Sequence, residues 1–147
     1  MFFLQCLIFL FLFFLFQICI IFLLFNASCW PFGGSQGRVS VQLAPKGQVI
    51  PRTISIEHVP SSIADSVSSA PKKVQIWGYR SPSDDEPVQL DKGDCRFDVS
   101  ASRHVQFCTL KEQRHPVHIV QLRIMSNHGR QEYTCIYRFR VHGNLAQ

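Results

Sequence analysis

The chain has 147 residues and a formal net charge of +5, from 15 Lys and Arg against 10 Asp and Glu. All of these charges lie from Arg38 onward, which leaves about 120 residues for folding, enough for one small domain with a single core. The basic residues are mixed with acids and form no continuous run, and this argues against a nucleic-acid partner.

The first predicted element is an apolar segment, Phe2–Phe25, whose only polar residues besides cysteine are Gln5 and Gln17. A helix of about 24 residues spans about 36 Å, enough to cross a hydrocarbon layer of about 30 Å. A cleaved signal peptide is the alternative, but no basic residue precedes the run. We therefore predict a transmembrane or signal-anchor helix in residues 1–25, and residues 26–37 as a linker and start of the domain. Either interpretation of the run places the folded part in a lumen or outside the cytosol.

The remaining residues show the alternation of strands rather than a helical period. Turn signals rich in Pro, Gly, Asn and Asp separate the alternating segments. Seven short strands without helices indicate an all-β protein, a β-sandwich. The predicted strands are Val39–Leu43, Thr53–His58, Val74–Tyr79, Arg96–Val99, Val105–Thr109, Val117–Met125 and Tyr133–Val141. Val117–Met125 is apolar on both faces in places, which is typical of a central strand.

The cysteines and histidines give little support for a metal site. No C-x-x-C spacing occurs, and His115 and His118 lack a second ligand pair at suitable spacing. The sequence contains no G-x-S-x-G, no H-E-x-x-H and no phosphate-binding Gly-rich loop. We therefore expect no metal, no cofactor and no enzymatic activity.

Cys95 and Cys108 are expected to stay unpaired. The segments around them favour a hairpin in which Phe97 faces Phe107 and Val99 faces Val105 on the buried side. In that register the two sulfurs point to opposite faces, which a disulfide cannot span without a bulge.

The last predicted strand carries two tyrosines and a cysteine on one face. Tyr133, Cys135 and Tyr137 share one parity, so their side chains lie about 7 Å apart along that face. On the pattern alone, the favoured interpretation is a plain core face with tyrosine hydroxyls at its wet edge.

Four segments together resemble the sequences of SUN domains, in the same order and at similar spacing. The resemblance extends from Cys29 to about Gly143, so residues 38–147 correspond to a partial SUN domain that lacks its N-terminal part. The segments are Ser28–Phe32, Ile56–Pro60 with Ser68–Lys72, Val120–Gly129 and Glu132–Gly143.

The resemblance implies a SUN-type β-sandwich in the perinuclear lumen of the nuclear envelope. Such domains bind the C-terminal tails of KASH proteins and link the nucleus to the cytoskeleton. The tail pocket of the family, which takes C-terminal prolines and a free carboxylate, matches His58, Ser69, Tyr133 and Tyr137. The family's cysteine pair matches Cys29 and Cys135, which implies a disulfide between them.

The chain also departs from the family pattern. The stretch that carries the lid hairpin and the cation-binding loop is missing before Cys29, and no coiled-coil heptads are present to support the usual homotrimer. Two alternatives therefore stay open. One is a secreted or anchored β-sandwich that binds another ligand, such as a glycan. The other is a gene-model fragment, in which the apolar run is a translated pyrimidine-rich tract and the incomplete sandwich exposes an unpaired sheet edge.

Overall fold

The computed structural model describes residues 29–43 and 49–146 of the chain. These residues form nine β-strands and no α-helix, so the all-β class is confirmed for this part of the chain. The strands are β1 (Trp30–Gly33), β2 (Gly37–Gln42), β3 (Val49–Glu57), β4 (Pro71–Tyr79), β5 (Val88–Gln89), β6 (Val105–Thr109), β7 (Ile119–Asn127), β8 (Tyr133–Ile136) and β9 (Arg138–Leu145).

The predicted membrane segment, residues 1–25, lies outside the described residues. Within the described ranges, no helix has the length and apolar character needed to cross a membrane.

Two antiparallel sheets make up most of the domain. The larger sheet has the order β2-β7-β4-β5 and the smaller one has the order β6-β3-β9. A two-stranded pair, β1-β8, stands beside them. β7 lies between β2 and β4, as predicted for a central strand, and its register places Leu122 between Val39 and Ile76.

The core forms between the facing sides of the two sheets. Alternate residues of β7, Val120, Leu122 and Ile124, are buried, whereas the intervening side chains lie on the outer face. Ile54 and Ile56 of β3 join them in one apolar cluster. Because strand side chains alternate between faces, each sheet contributes every second residue to this interior.

The predicted strand Arg96–Val99 is not a strand, and the hairpin proposed with it is wrong. This segment makes one isolated bridge, between Arg96 and Lys73, at the start of β4. β6 pairs with β3 instead. This register turns Phe107 outward, where it is 65% exposed, although Phe97 is buried as expected.

The prediction that Cys95 and Cys108 stay unpaired is therefore also wrong. They form a disulfide with their Cα atoms 5.8 Å apart. Cys108 lies opposite Ile54, on the inner face of β3, and Cys95 is buried in the core. Both sulfurs point to the interior because pairing with β3, not with residues 96–99, decides which face Cys108 occupies.

The last predicted strand is divided into two. β8 pairs with β1 and β9 pairs with β3, with a bend at Tyr137 between them. Beyond the bend, Phe139 and Val141 pack against the core while Arg138 and Arg140 are exposed, as the alternation predicts. The bend takes the chain from the β1-β8 pair into the smaller sheet, where β9 pairs with β3.

Candidate functional site

A cleft of about 640 Å³ opens between β8 and the loop that follows β3. Three of the four predicted pocket residues, Ser69, Tyr133 and Tyr137, line it. They come from two distant parts of the chain, the loop between β3 and β4 and the β8 segment. The structure therefore brings together side chains that are more than 60 residues apart in sequence.

Ser69 is held against β8 by the main chain. The Cys135 N–H donates to the Ser69 carbonyl oxygen at 2.9 Å, and the Ala70 N–H donates to the Val67 carbonyl oxygen at 3.0 Å. Ser69 is only 8% exposed, yet it forms part of the cleft wall. A hydroxyl on a fixed backbone can donate one hydrogen bond to a ligand with little loss of side-chain entropy.

The two tyrosines flank β8: Tyr133 is its first residue, and Tyr137 directly follows its last. Tyr133, at the start of the strand, is 36% exposed, and Tyr137 lies half-buried at the bend. Burial raises the pKa of the Tyr137 hydroxyl, and the nearby Tyr133 raises it further. Tyr137 therefore remains a protonated hydrogen-bond donor at neutral pH.

His58, the fourth predicted pocket residue, lies behind the cleft rather than on its wall. It is 2% exposed, and its ring meets the Tyr137 ring edge-on with centroids 4.9 Å apart. Its Nδ1 lies 3.2 Å from the Val59 carbonyl oxygen, which can only accept, so Nδ1 carries the proton. Nε2 is then an acceptor, and it is buried without a hydrogen-bond partner.

The surroundings of His58 keep it neutral. Burial is the main cause that lowers its pKa below the ordinary value of 6.5. The hydrogen bond to Val59 acts in the opposite direction, and the charge of His128 lowers the pKa further. His58 thus supports the Tyr137 ring as an uncharged aromatic side chain.

A disulfide between Cys29 and Cys135 forms part of the cleft wall, and it is the pairing that the family resemblance implies. The two Cα atoms are 5.5 Å apart across a sequence separation of 106 residues. Both cysteines line the cleft, and Pro31 of β1 lies opposite Cys135 in the strand pair. The bond fixes the β1 segment against the strand that begins at Tyr133.

Arg130 is a cleft residue that sequence reasoning missed. Its guanidinium carbon lies 4.9 Å from the centre of the Tyr133 ring, and its side chain lines the cleft. In the sequence it resembles any solvated arginine of a mixed-charge segment. The feature that could have indicated Arg130 is its position in the short turn between Gly129 and Tyr133. Gly129 has a φ of 121°, which marks the turn.

The described residues offer no metal centre. Among residues 29–43 and 49–146, no group of three or more His, Cys, Asp or Glu side chains could hold a metal ion. The side chains that line the cleft supply hydrogen-bond donors, aromatic surface, the positive charge of Arg130 and the carboxylate of Asp65.

Comparison with known proteins identifies the family. The family model described as Sad1 / UNC-like C-terminal matches residues 18–145. The chain is 37% identical over 123 residues to human SUN domain-containing protein 1, covering 82% of this chain and 15% of that protein. It is 36% identical over 126 residues to the nuclear migration and anchoring protein unc-84 of Caenorhabditis elegans, covering 84% of this chain and 11% of that protein. The chain spans about a tenth to a third of the length of the curated relatives it matches.

A solved structure supports the architecture independently. The family 32 carbohydrate-binding module of Streptococcus pneumoniae EndoD superposes with a TM-score of 0.55 at 16% sequence identity, covering 79% of this chain and 75% of that one. At that identity the likeness concerns the fold alone and agrees with a β-sandwich. The family match and the sequence identities to its members concern the chain itself. The chain belongs to the Sad1/UNC-like C-terminal family, the family of SUN-domain proteins.

Proposed function

We propose that this chain is a non-enzymatic adaptor of the nuclear envelope whose domain binds the C-terminal tail of a KASH protein in the perinuclear lumen. Through such a tail it would link the nucleus to the cytoskeleton. The observation that carries the proposal is the convergence of Ser69, Tyr133 and Tyr137 on one cleft. Membership of the SUN-domain family and two disulfides, which suit an oxidising lumen, support it.

The chemistry of the cleft fits the end of an extended peptide. A terminal carboxylate only accepts hydrogen bonds, so it needs donors, and the hydroxyls of Ser69 and Tyr137 supply them. Prolines in an extended chain present flat apolar faces that pack on aromatic rings. The Tyr133 ring, 36% exposed beside the Arg130 guanidinium, offers such a surface. His58 then acts on the ligand through Tyr137, by holding that ring in place.

A glycan is the alternative ligand, and the described residues favour it less. Sugar rings usually stack on open aromatic faces. Trp77 lies on the outer face of the larger sheet, but the Arg123 guanidinium covers one side of its ring at 4.1 Å from the centroid. Trp30 is open to such stacking, at 64% exposed, but it lies outside the cleft in which Ser69, Tyr133 and Tyr137 converge. The cleft beside Tyr133 is therefore the better supported binding site, and a peptide tail is the better supported ligand.

The proposal is tested with the full 147-residue chain in detergent and a fluorescent peptide that carries the C-terminal residues of a KASH protein. A second peptide has one residue added after the natural C-terminus. The extension moves the carboxylate away from the Ser69 and Tyr137 hydroxyls, which loses about 1–3 kcal/mol for each buried donor left unpaired, so we expect at least about fivefold weaker binding.

A tyrosine variant serves as the internal check. Tyr137→Phe removes the hydroxyl but keeps the ring against His58, so it should weaken binding of the native peptide while leaving the melting temperature nearly unchanged. Equal affinity for the native and extended peptides would contradict the proposed site. Loss of binding by Tyr137→Phe together with a large fall in melting temperature would count against a direct role of the hydroxyl.

A further inference from the structure

We propose that Arg130 binds the terminal carboxylate of the tail and makes the cleft selective for a negatively charged chain end. The inference rests on the proposed function and adds a charged donor to the neutral hydroxyls of Ser69 and Tyr137. Arg130, Ser69 and Tyr137 all line the same cleft. Among the residues that line this cleft, Arg130 is the one with a positively charged side chain.

The side chain of Arg130 has a donor to offer. Its Nε is buried and has no hydrogen-bond partner. The rest of the side chain, which is 33% exposed overall, is the part that a ligand in the cleft can reach. The ion pair with Glu132 uses Nη1, at 3.9 Å, and the Glu132 side chain is 73% exposed. Such a long, solvated pair leaves most of the positive charge available.

The loop between β7 and β8 holds Arg130 in place before any ligand binds. Its N–H donates to the Ser68 carbonyl oxygen at 3.1 Å, which ties it to the residue beside Ser69. Its carbonyl oxygen accepts from Asn127 Nδ2 at 2.5 Å. The guanidinium is further restrained by its contact with the Tyr133 ring. Little entropy is lost when an already fixed side chain binds a ligand.

The geometry favours a carboxylate over a neutral chain end. A guanidinium presents planar N–H groups that can make two parallel hydrogen bonds to the two oxygens of one carboxylate. Asp65 also lines the cleft and opposes an anion. It is an exposed residue, so water and salt screen its charge more strongly than that of the partly buried Arg130.

The experiment compares two forms of one KASH-tail peptide, the free acid and the C-terminal amide, on the full chain in detergent. Arg130→Gln should bind the acid about 10- to 100-fold more weakly than wild type, the range for a hydrogen bond to a charged group, and bind the amide almost as wild type does. Arg130→Lys keeps the charge without the planar guanidinium, so its affinity for the acid should lie between those of wild type and Arg130→Gln. The matched control is Arg52→Gln, because Arg52 makes an ion pair of the same 3.9 Å length with Glu112 but does not line the cleft.

Comparing acid with amide within each variant separates a charge effect from damage to the fold, since misfolding weakens both peptides alike. A variant that loses the acid preference while Arg52→Gln keeps it supports the inference. Equal losses for acid and amide in Arg130→Gln overturn it, as does an undiminished acid preference in that variant. If wild type binds neither peptide, the proposed function is overturned and this inference with it.

Discussion

At the scale of single residues, Tyr137 and His58 form one unit that serves both the core and the cleft. Tyr137, at the bend after β8, lines the cleft, and its ring also packs edge-on against the ring of buried His58. A charged imidazole at that position would be placed in an apolar environment, beside the Phe97 ring at 6.2 Å. The integrity of the cleft therefore depends on His58 remaining neutral.

This arrangement predicts that the domain loses stability in mild acid. The pKa of His58 is lowered in the folded state, so the unfolded chain binds the proton more tightly. The stability that the neutral form of His58 contributes is fully present above pH 6.5, the ordinary pKa of a histidine in the unfolded chain. This contribution is lost as the pH falls from there toward the lowered pKa of the folded state. Melting temperatures of the full chain at about pH 7.5 and about pH 5.5 should show this loss.

The variant His58→Phe tests the assignment. It keeps a ring beside Tyr137 but removes the titrating group, so its melting temperature should fall less between the two pH values than that of wild type. An equal fall in both proteins would assign the acid sensitivity to other groups and contradict the role given to His58.

The candidate site was only partly predictable at this scale. Period-2 alternation places Tyr133 and Tyr137 on one side of a strand, and family resemblance adds Ser69 and His58. Alternation cannot show that a bend divides the strand or that His58 lies beneath Tyr137, because both depend on pairing with β1 and β3. Arg130 was missed because its burial comes from tertiary contacts that no local pattern encodes.

At the scale of elements, the strands themselves were largely predictable, and their partners were not. Alternation and turn residues identified the segments that became β2, β3, β4, β6 and β7, with ends that differ by a few residues. An alternating segment has two faces, and its partner strand decides which one is buried. The segment around Cys108 was paired with the wrong neighbour, so its face was inverted and the Cys95–Cys108 disulfide was missed.

The loop between β7 and β8 depends on one buried side chain, that of Asn127. Its Nδ2 donates to the carbonyl oxygens of Arg130 and Tyr133, and to Thr134 Oγ1 at 3.0 Å. Its Oδ1 accepts from the Gly129 N–H at 3.0 Å. Asn127 is 8% exposed, so water cannot fully replace these bonds.

Asn127→Ala should therefore destabilise the domain by about 2–3 kcal/mol, because several buried polar groups lose their partner at once. Urea denaturation of the full chain measures the change. Asn144→Ala, at an exposed position of β9, is the control and should change stability by less than about 0.5 kcal/mol. Similar small effects of both substitutions would show that the loop does not depend on Asn127.

At the scale of the whole molecule, two disulfides link segments that are separate in the sequence. Cys95–Cys108 joins an irregular core segment to β6 of the smaller sheet. Cys29–Cys135 joins β1 to β8, the pair outside both larger sheets. The two bonds differ greatly in the length of chain they enclose, with sequence separations of 13 and 106 residues.

That difference predicts unequal losses of stability when the bonds are removed. In the chain-entropy description, a loop of about 15 residues contributes about 3 kcal/mol and one of about 100 residues about 4.7 kcal/mol. The double variant Cys29→Ala with Cys135→Ala should therefore unfold at lower urea concentration than Cys95→Ala with Cys108→Ala.

The two double variants should also differ in ligand binding. Loss of Cys29–Cys135 removes the covalent link between the β1 segment and β8 in the wall of the cleft, so KASH-tail affinity should fall. Loss of Cys95–Cys108 removes a bond that lies away from the cleft lining, and the folded fraction should bind nearly as wild type. Measurements use the full chain in detergent, with affinity normalised to the folded fraction at each condition. If the core pair proves the more important for both stability and binding, local packing at Cys95 and Cys108 outweighs loop closure, and the cleft does not depend on the long-range bond.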